Sequence, residues 1–127
     1  MTEDLKPFLQ AGPTVQSDDD AVVGFARRAM GTETRAVDQA VLLYYAVRDE
    51  VRYDGYDLDI SVEGLCARRN LELGHGWCIS KAVLLAACCR AVGIPARLGY
   101  ADVRNHLSTR KMRERMGTNL FFWHGYT

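Results

Sequence analysis

The stretch from Gly76 to Arg97, GWCISKAVLLAACCRAVGIPAR, decides the fold of this chain. Between Cys78 and Val92 nearly every side chain is apolar, on all sides of a helix. A helix of this kind is stable when it is buried, so we expect it at the centre of the domain. Gly93 and Pro95 end it, because glycine adopts a left-handed backbone easily and proline cannot continue a helix.

Two further helices are predicted before this stretch. The first spans residues 17–30, with Ser17 or an early aspartate as its N-cap and Gly31 after its end. The second spans residues 32–52, where apolar side chains recur at helical spacing and should face the core. These side chains are Val37, Val41, Tyr44, Tyr45, Val47 and Val51.

Shorter elements surround the central helix. Ser61 is predicted to cap a helix over residues 62–69. After the central helix, the patterns indicate a strand at 96–103, a polar surface helix at 108–116 and an aromatic strand at 119–126. Helices that precede strands are typical of an α+β fold, here with the helices packed on one face of a small antiparallel sheet.

The composition fits one globular domain without a nucleic-acid or membrane partner. The chain has 127 residues, 48% of them hydrophobic, and its 16 basic and 16 acidic side chains cancel. We expect a lead-in over residues 1–16 and a domain over residues 17–127. Neither a signal peptide nor an apolar run long enough to span a bilayer is evident, so a cytoplasmic protein with reduced cysteines is expected.

Cys78 is the candidate nucleophile. It follows a glycine-containing loop and opens the buried helix, so unpaired backbone amides and the positive end of the helix dipole face its sulfur. Both favour the thiolate, which is the reactive form. The N–H of Cys78 itself points outward and is expected to stabilise the oxyanion of a tetrahedral intermediate.

The other cysteines are interpreted as small buried hydrophobes in helices: Cys66, Cys88 and Cys89. His75 lies three residues before Cys78, so a zinc site that adds Cys66 and His106 is an alternative. No second tight pair of ligands completes it. We therefore predict no metal site and no cofactor.

The motif around Cys78 resembles that of the transglutaminase-like superfamily, which has a papain-like Cys-His-Asp fold. The likeness lies in Gly76-Trp77-Cys78, Lys81-Ala82, Arg90 and Gly93-Ile94-Pro95-Ala96-Arg97. It implies that the cysteine heads a buried helix and that a later strand carries the catalytic histidine. His124, in Trp123-His124-Gly125-Tyr126, matches that position, although Gly125-Tyr126 replaces the commoner Ala-Trp.

The chain departs from the family pattern after His124. The family usually places an aspartate on the next strand, where it orients the imidazole, and this sequence stops three residues after His124. We expect a truncated piece of a longer enzyme that lacks the last strands. Within the chain, Asp102 and Asn105 are the candidate substitutes. An exposed last strand would also favour self-association.

The resemblance implies a cysteine hydrolase or acyltransferase that acts on a peptide, amide or ester. Cys78 attacks the carbonyl, His124 carries the proton, and water or an amine resolves the thioester. Trp77 and His75 are the candidate oxyanion or pocket residues. The alternative is a catalytically inactive domain of the same fold that serves binding or assembly, which the missing aspartate suggests.

Overall fold

A computed structural model of the protein describes residues 4–104, 110–111, 114 and 120–127, without the side chains of residues 103–104 and 120–123. A short 3-10 helix at Lys6–Phe8 precedes the regular elements. The α-helices are α1 (Asp20–Met30), α2 (Ala36–Glu50), α3 (Val62–Leu65), α4 (Ala67–Leu73) and α5 (Cys78–Ala91). The strands are β1 (Arg52–Tyr53), β2 (His75–Gly76), β3 (Gly99–Arg104) and β4 (Leu120–Tyr126).

Helix α5 is the buried central helix that the apolar run predicts. Its buried apolar residues are Ala82, Val83, Leu84, Ala86, Ala87, Cys88 and Cys89. Gly93 follows its end with φ of 85°, a left-handed conformation that glycine adopts without strain. The turn that follows is held by Arg90, whose Nε donates to the Ala96 carbonyl at 3.0 Å. The helix and its end were therefore both predicted correctly.

Helix α1 begins as the early aspartates predict. The Asp19 carboxylate accepts hydrogen bonds from the N–H groups of Ala21 and Val22, which caps the helix. Its inner face buries Val22, Phe25 and Ala26 against the core formed with α5. The capping residue is therefore an early aspartate, Asp19, rather than Ser17, which the sequence had left as the other candidate.

The predicted core face of α2 is only partly right: Val47 and Val51 are buried as predicted, but the other four residues are not. Leu43 and Val47 are the buried residues of α2, whereas Val37 is 70% exposed and Val41, Tyr44 and Tyr45 are also exposed. Both sides of this helix carry apolar side chains, so helical spacing alone could not decide which side faces α5. Successive residues of an α-helix are about 100° apart around its axis, which places the two tyrosines and Arg48 on the exposed side.

The helix predicted at residues 62–69 is two helices. Ser61 caps α3 as expected, with its Oγ accepting from the Gly64 N–H at 3.0 Å. Cys66 interrupts the helix with an extended backbone, and its thiol donates to the Val62 carbonyl at 3.1 Å. Cys66 is therefore half-buried at a helix junction, which corrects its assignment to a helix interior.

The described residues form two small sheets. Strands β3 and β4 correspond to the two predicted late strands, and they pair antiparallel. Their register is irregular between Ala101 and Val103. Strands β1 and β2 pair in parallel through Arg52 and His75, which the sequence patterns did not predict. The mixture of helices and small sheets is α+β. Most of the helix predicted at residues 108–116 lies outside the described residues, although Arg110, Lys111 and Glu114 are helical.

The described part of the lead-in docks on the helices through its backbone. The Thr14 carbonyl accepts from the Ala67 N–H at 3.0 Å, and the Gln10 carbonyl accepts from Arg90 Nη1 at 2.8 Å. Val15 is buried in the core. Within the described ranges, none of the helices has the length and apolar character needed to cross a bilayer.

The two buried thiols of α5 make the fold sensitive to alkali. Burial raises the pKa of Cys88 to about 12 and the pKa of Cys89 to about 11. The unfolded chain loses these protons first, so the free energy of unfolding falls as the pH rises above about 9 toward the two folded values. At about pH 10.5 each thiol should have lowered the free energy of unfolding by roughly 2 kcal/mol.

Urea unfolding at about pH 8 and about pH 10.5 tests this expectation. The double variant Cys88→Ala/Cys89→Ala should lose less stability between the two pH values than the natural sequence does, whatever its stability at the lower pH. Equal losses in both proteins would contradict the assignment.

Candidate active site

Cys78 is the first residue of α5, as predicted. Trp77 precedes it, and the Ser80 side chain in the first turn forms hydrogen bonds with the backbone of Trp77. Its Oγ accepts from the Trp77 N–H at 2.9 Å and donates to the Trp77 carbonyl at 3.2 Å. The Cys78 side chain is half-buried at a helix start whose first N–H groups have no acceptor within the helix.

His124 lies on β4, and its side chain is half-buried. Both His124 and Cys78 line one open cleft of about 380 Å³. The other residues of this cleft are Tyr44, Val47, Arg48, Tyr53, Lys81, Ala82, Leu85, Gly125, Tyr126 and Thr127. The structure therefore brings together two side chains that are 46 positions apart in the sequence.

Gly125 allows β4 to approach the start of α5 closely. A Cβ at this buried glycine would lie 3.0 Å from both Cα and Cγ1 of Ile79, the residue after Cys78. At the end of the strand, the Thr127 hydroxyl donates to the Ala82 carbonyl of α5 at 2.7 Å. The strand that carries His124 is thus held against the helix turn that carries Cys78 by a close contact and by a hydrogen bond.

Tyr53 also lines the cleft, and the sequence analysis missed it. Burial raises the pKa of its phenol, the neighbouring Cys78 side chain adds to the rise, and a hydrogen bond from the Cys78 backbone opposes it. The Tyr53 phenol therefore lies close to Cys78 in this cleft. The only local signal is the Asp54-Gly55 turn that follows Tyr53, and a turn does not reveal which distant residue a side chain meets.

Lys81 joins the cleft to the end of α2. Its Nζ donates to the Val51 carbonyl at 2.6 Å and to the Arg48 carbonyl at 3.3 Å, where a helix end leaves carbonyls without partners. Burial lowers the pKa of this ammonium, and the Asp49 carboxylate opposes that effect. Lys81 thereby fixes the position of β1, the strand that carries Tyr53.

The cleft is lined mostly by aromatic and aliphatic side chains, together with two cations, Arg48 and Lys81. The Arg48 guanidinium lies 4.6 Å from the ring centre of Tyr45 and 5.8 Å from that of Tyr44. Its Nε also pairs with the Asp49 carboxylate at 2.7 Å. Arg48 is therefore already neutralised, so the rim is not strongly charged.

The remaining predicted site residues lie elsewhere. Asp102 is exposed in β3, next to Ala101, whose Cα pairs with that of His124. Asn105 and His106 lie outside the described residues, so the orienting group stays a prediction. Trp77 and His75 line a separate cavity of about 140 Å³ rather than the cleft.

One family of known proteins matches most of the chain. A model of the family described as the transglutaminase-like superfamily matches residues 23–123. The match includes Cys78 and the turn after α5, and it ends one residue before His124. No curated protein and no solved structure matched the chain.

Proposed function

Because this chain belongs to the transglutaminase-like superfamily, which typically contains cysteine-dependent enzymes, we propose that it catalyses acyl transfer or amide hydrolysis through Cys78 and His124. The observation that carries the proposal is the shared cleft, into which the first residue of α5 and a histidine of β4 both open. A thiol and an imidazole in one cleft are the minimum set for nucleophilic catalysis by cysteine.

The reaction proceeds in two steps. The Cys78 thiolate attacks the substrate carbonyl carbon, and the carbonyl electrons move to the oxygen. His124 gives its proton to the leaving amine or alcohol as the C–N or C–O bond breaks, which leaves a thioester on Cys78. Water or an acceptor amine then attacks the thioester, His124 takes up its proton, and the thiolate is released.

The Cys78 N–H supports this chemistry at the point where negative charge develops. A backbone donor aimed at the oxyanion contributes roughly 3–4 kcal/mol in comparable enzymes. Tyr53 lines the same cleft, so its ring forms part of the wall beside this donor.

The rim of the cleft suggests the kind of acyl group that fits. Tyr44, Leu85 and Tyr126 line it with ring and aliphatic surface, and such surface binds apolar substrate groups. We propose an amide or ester whose acyl side chain is aromatic or aliphatic as the substrate class.

Selective alkylation tests the reactivity of the thiol. We expect iodoacetamide at near-neutral pH to label Cys78 before the other three cysteines, measured by peptide mass spectrometry over time. Cys88 and Cys89 are buried with pKa values of about 12 and 11, and burial raises the pKa of Cys66 too. Labelling of Cys66 at the same rate as Cys78 would contradict an activated thiol and favour the inactive, binding alternative.

A further inference from the structure

A second cavity lies beside the start of α5, and the proposed reaction does not use it. It has a volume of about 140 Å³ and contains neither Cys78 nor His124. Its walls come from the segment after β1, from α4 and from the loop before α5. The polar residues among its lining are Asp57, Asp59, Arg69, Asn70, His75 and Ser80.

Three side chains, two of which line this cavity, have the spacing of metal ligands. One ligand atom each from Asp54, Asp57 and His75 lies within 4.8 Å of the other two. His75 Nε2 is 3.7 Å from Asp57 Oδ2, and the His75 side chain is only 19% exposed. Strand pairing holds this imidazole in place, because His75 is in register with Arg52, two residues before Asp54.

The surroundings of Asp54 favour its charged form. A hydrogen bond from the Tyr56 N–H holds the pKa of Asp54 below its ordinary value, burial opposes this, and Arg52 and His75 lower the pKa further. Arg69 also lines the cavity, but it pairs with the Glu72 carboxylate at 3.6 Å. Two carboxylates and one imidazole therefore lie close together, and one of the nearby arginines, Arg69, is already paired.

A second, independent observation comes from Asn70. Its side chain is 2% exposed, and its Nδ2 donates to the Cys66 carbonyl of its own helix at 3.2 Å. Within the described part of the chain, the Asn70 Oδ1 has no hydrogen-bond partner, and neither has the Trp77 indole N–H. Both residues line this cavity. Because buried polar atoms usually have partners, this acceptor and this donor favour a polar occupant of the cavity.

We propose that Asp54, Asp57 and His75 bind a divalent cation of the first transition row. Mixed imidazole and carboxylate ligands suit such a cation better than calcium or magnesium, which take oxygen ligands. Three protein ligands leave coordination positions for water. Waters held there would donate to Asn70 Oδ1 and accept from the Trp77 indole, so that both buried atoms gain partners.

The geometry needs only a small adjustment to close. Two ligand atoms that are each about 2.0–2.2 Å from one cation lie at most roughly 4.4 Å apart. This is slightly less than the 4.8 Å within which the three ligand atoms now lie. Asp57 can supply the difference, because its side chain is 66% exposed. Once bound, the cation would link the turn after β1 to β2, the strand that directly precedes Trp77 and Cys78.

Titration with Mn²⁺ tests the site without reference to catalysis. Mn²⁺ favours carboxylate and imidazole ligands over thiolate, so the four cysteines compete little. The free-ion signal in electron paramagnetic resonance reports the bound fraction. We expect one Mn²⁺ per chain, and Asp57→Asn and His75→Gln should each raise its dissociation constant by about tenfold or more. Circular dichroism verifies that each variant is folded.

Asp59→Asn is the matched control, because Asp59 lines the same cavity but lies outside the three-residue cluster. It should leave the dissociation constant within about twofold, because Asp59 Oδ1 already accepts from the Ser61 N–H and hydroxyl and contributes no ligand atom to the cluster. An equal loss in Asp59→Asn would mean diffuse attraction to acidic side chains and overturn the proposal. So would the absence of a stoichiometric Mn²⁺, which would leave a water-filled cavity. Neither result bears on the reaction proposed for Cys78.

Discussion

The variant Cys78→Ser is expected to hydrolyse an activated ester such as p-nitrophenyl acetate with a kcat at least about 10⁴-fold below that of the natural sequence. A serine hydroxyl at this helix start stays protonated at neutral pH, and so it lacks the nucleophilicity of a thiolate. The substitution changes one atom, and the Cys78 side chain is half-buried rather than part of the core. We therefore expect normal folding together with lost turnover.

Cys66→Ser is the control for this experiment. Cys66 is also half-buried, and its thiol donates to the Pro13 and Val62 carbonyls, which a hydroxyl can also do. This variant should keep its kcat within about twofold, as is usual for a residue remote from the reacting atoms. Ester hydrolysis by Cys78→Ser at the rate of the natural sequence would show that the reaction does not pass through this sulfur.

The second large effect is expected at Gly125. A Cβ in Gly125→Ala would lie 3.0 Å from the Cα of Ile79, which is backbone and cannot rotate away. Strand β4 must then move away from the start of α5, and His124 moves with it. The contact requires a shift of a few tenths of an ångström. Because displacement of a catalytic group by about 1 Å can cost about 10²-fold in rate, we expect kcat to fall by less than that, on the order of tenfold.

Gly12→Ala is the matched control, because a Cβ at Gly12 meets no atom within 4 Å. The rate of ester hydrolysis should be unchanged in this variant. Thermal unfolding of both variants separates a shift of the strand from a loss of fold, since overpacking typically costs about 1–3 kcal/mol. Full activity in Gly125→Ala would contradict the requirement for close contact between β4 and α5.

The sequence predicted the elements whose signals are local. Helix α5 is apolar all round and ends at Gly93, and both facts can be read from neighbouring residues. The caps at Asp19 and Ser61 are equally local. The core face of α2 could not be predicted in this way. Both sides of this helix are apolar, and only packing against α5 buries Leu43 rather than Val41.

The candidate site depends on contacts between distant parts of the chain. Cys78 could be proposed from its position at a helix start, but His124 was proposed only through the family resemblance. Tyr53 was missed, and Lys81 was noted only as part of the family motif, since their contacts arise from the pairing of β1 with β2 and from the packing of α5 on the end of α2. The cluster at Asp54, Asp57 and His75 was missed for the same reason, although His75 had been considered as a zinc ligand.

Acylation of Cys78 by p-nitrophenyl acetate, followed by peptide mass spectrometry, tests the pairing of the thiol with His124 most directly. The natural sequence should carry the acetyl group on the peptide that contains Cys78. In His124→Gln that modification should form at least about 10²-fold more slowly, because the imidazole that takes up the thiol proton to give the thiolate is lost. Acetylation of Cys78 at equal rates in the two proteins, or first at another cysteine, would contradict the account.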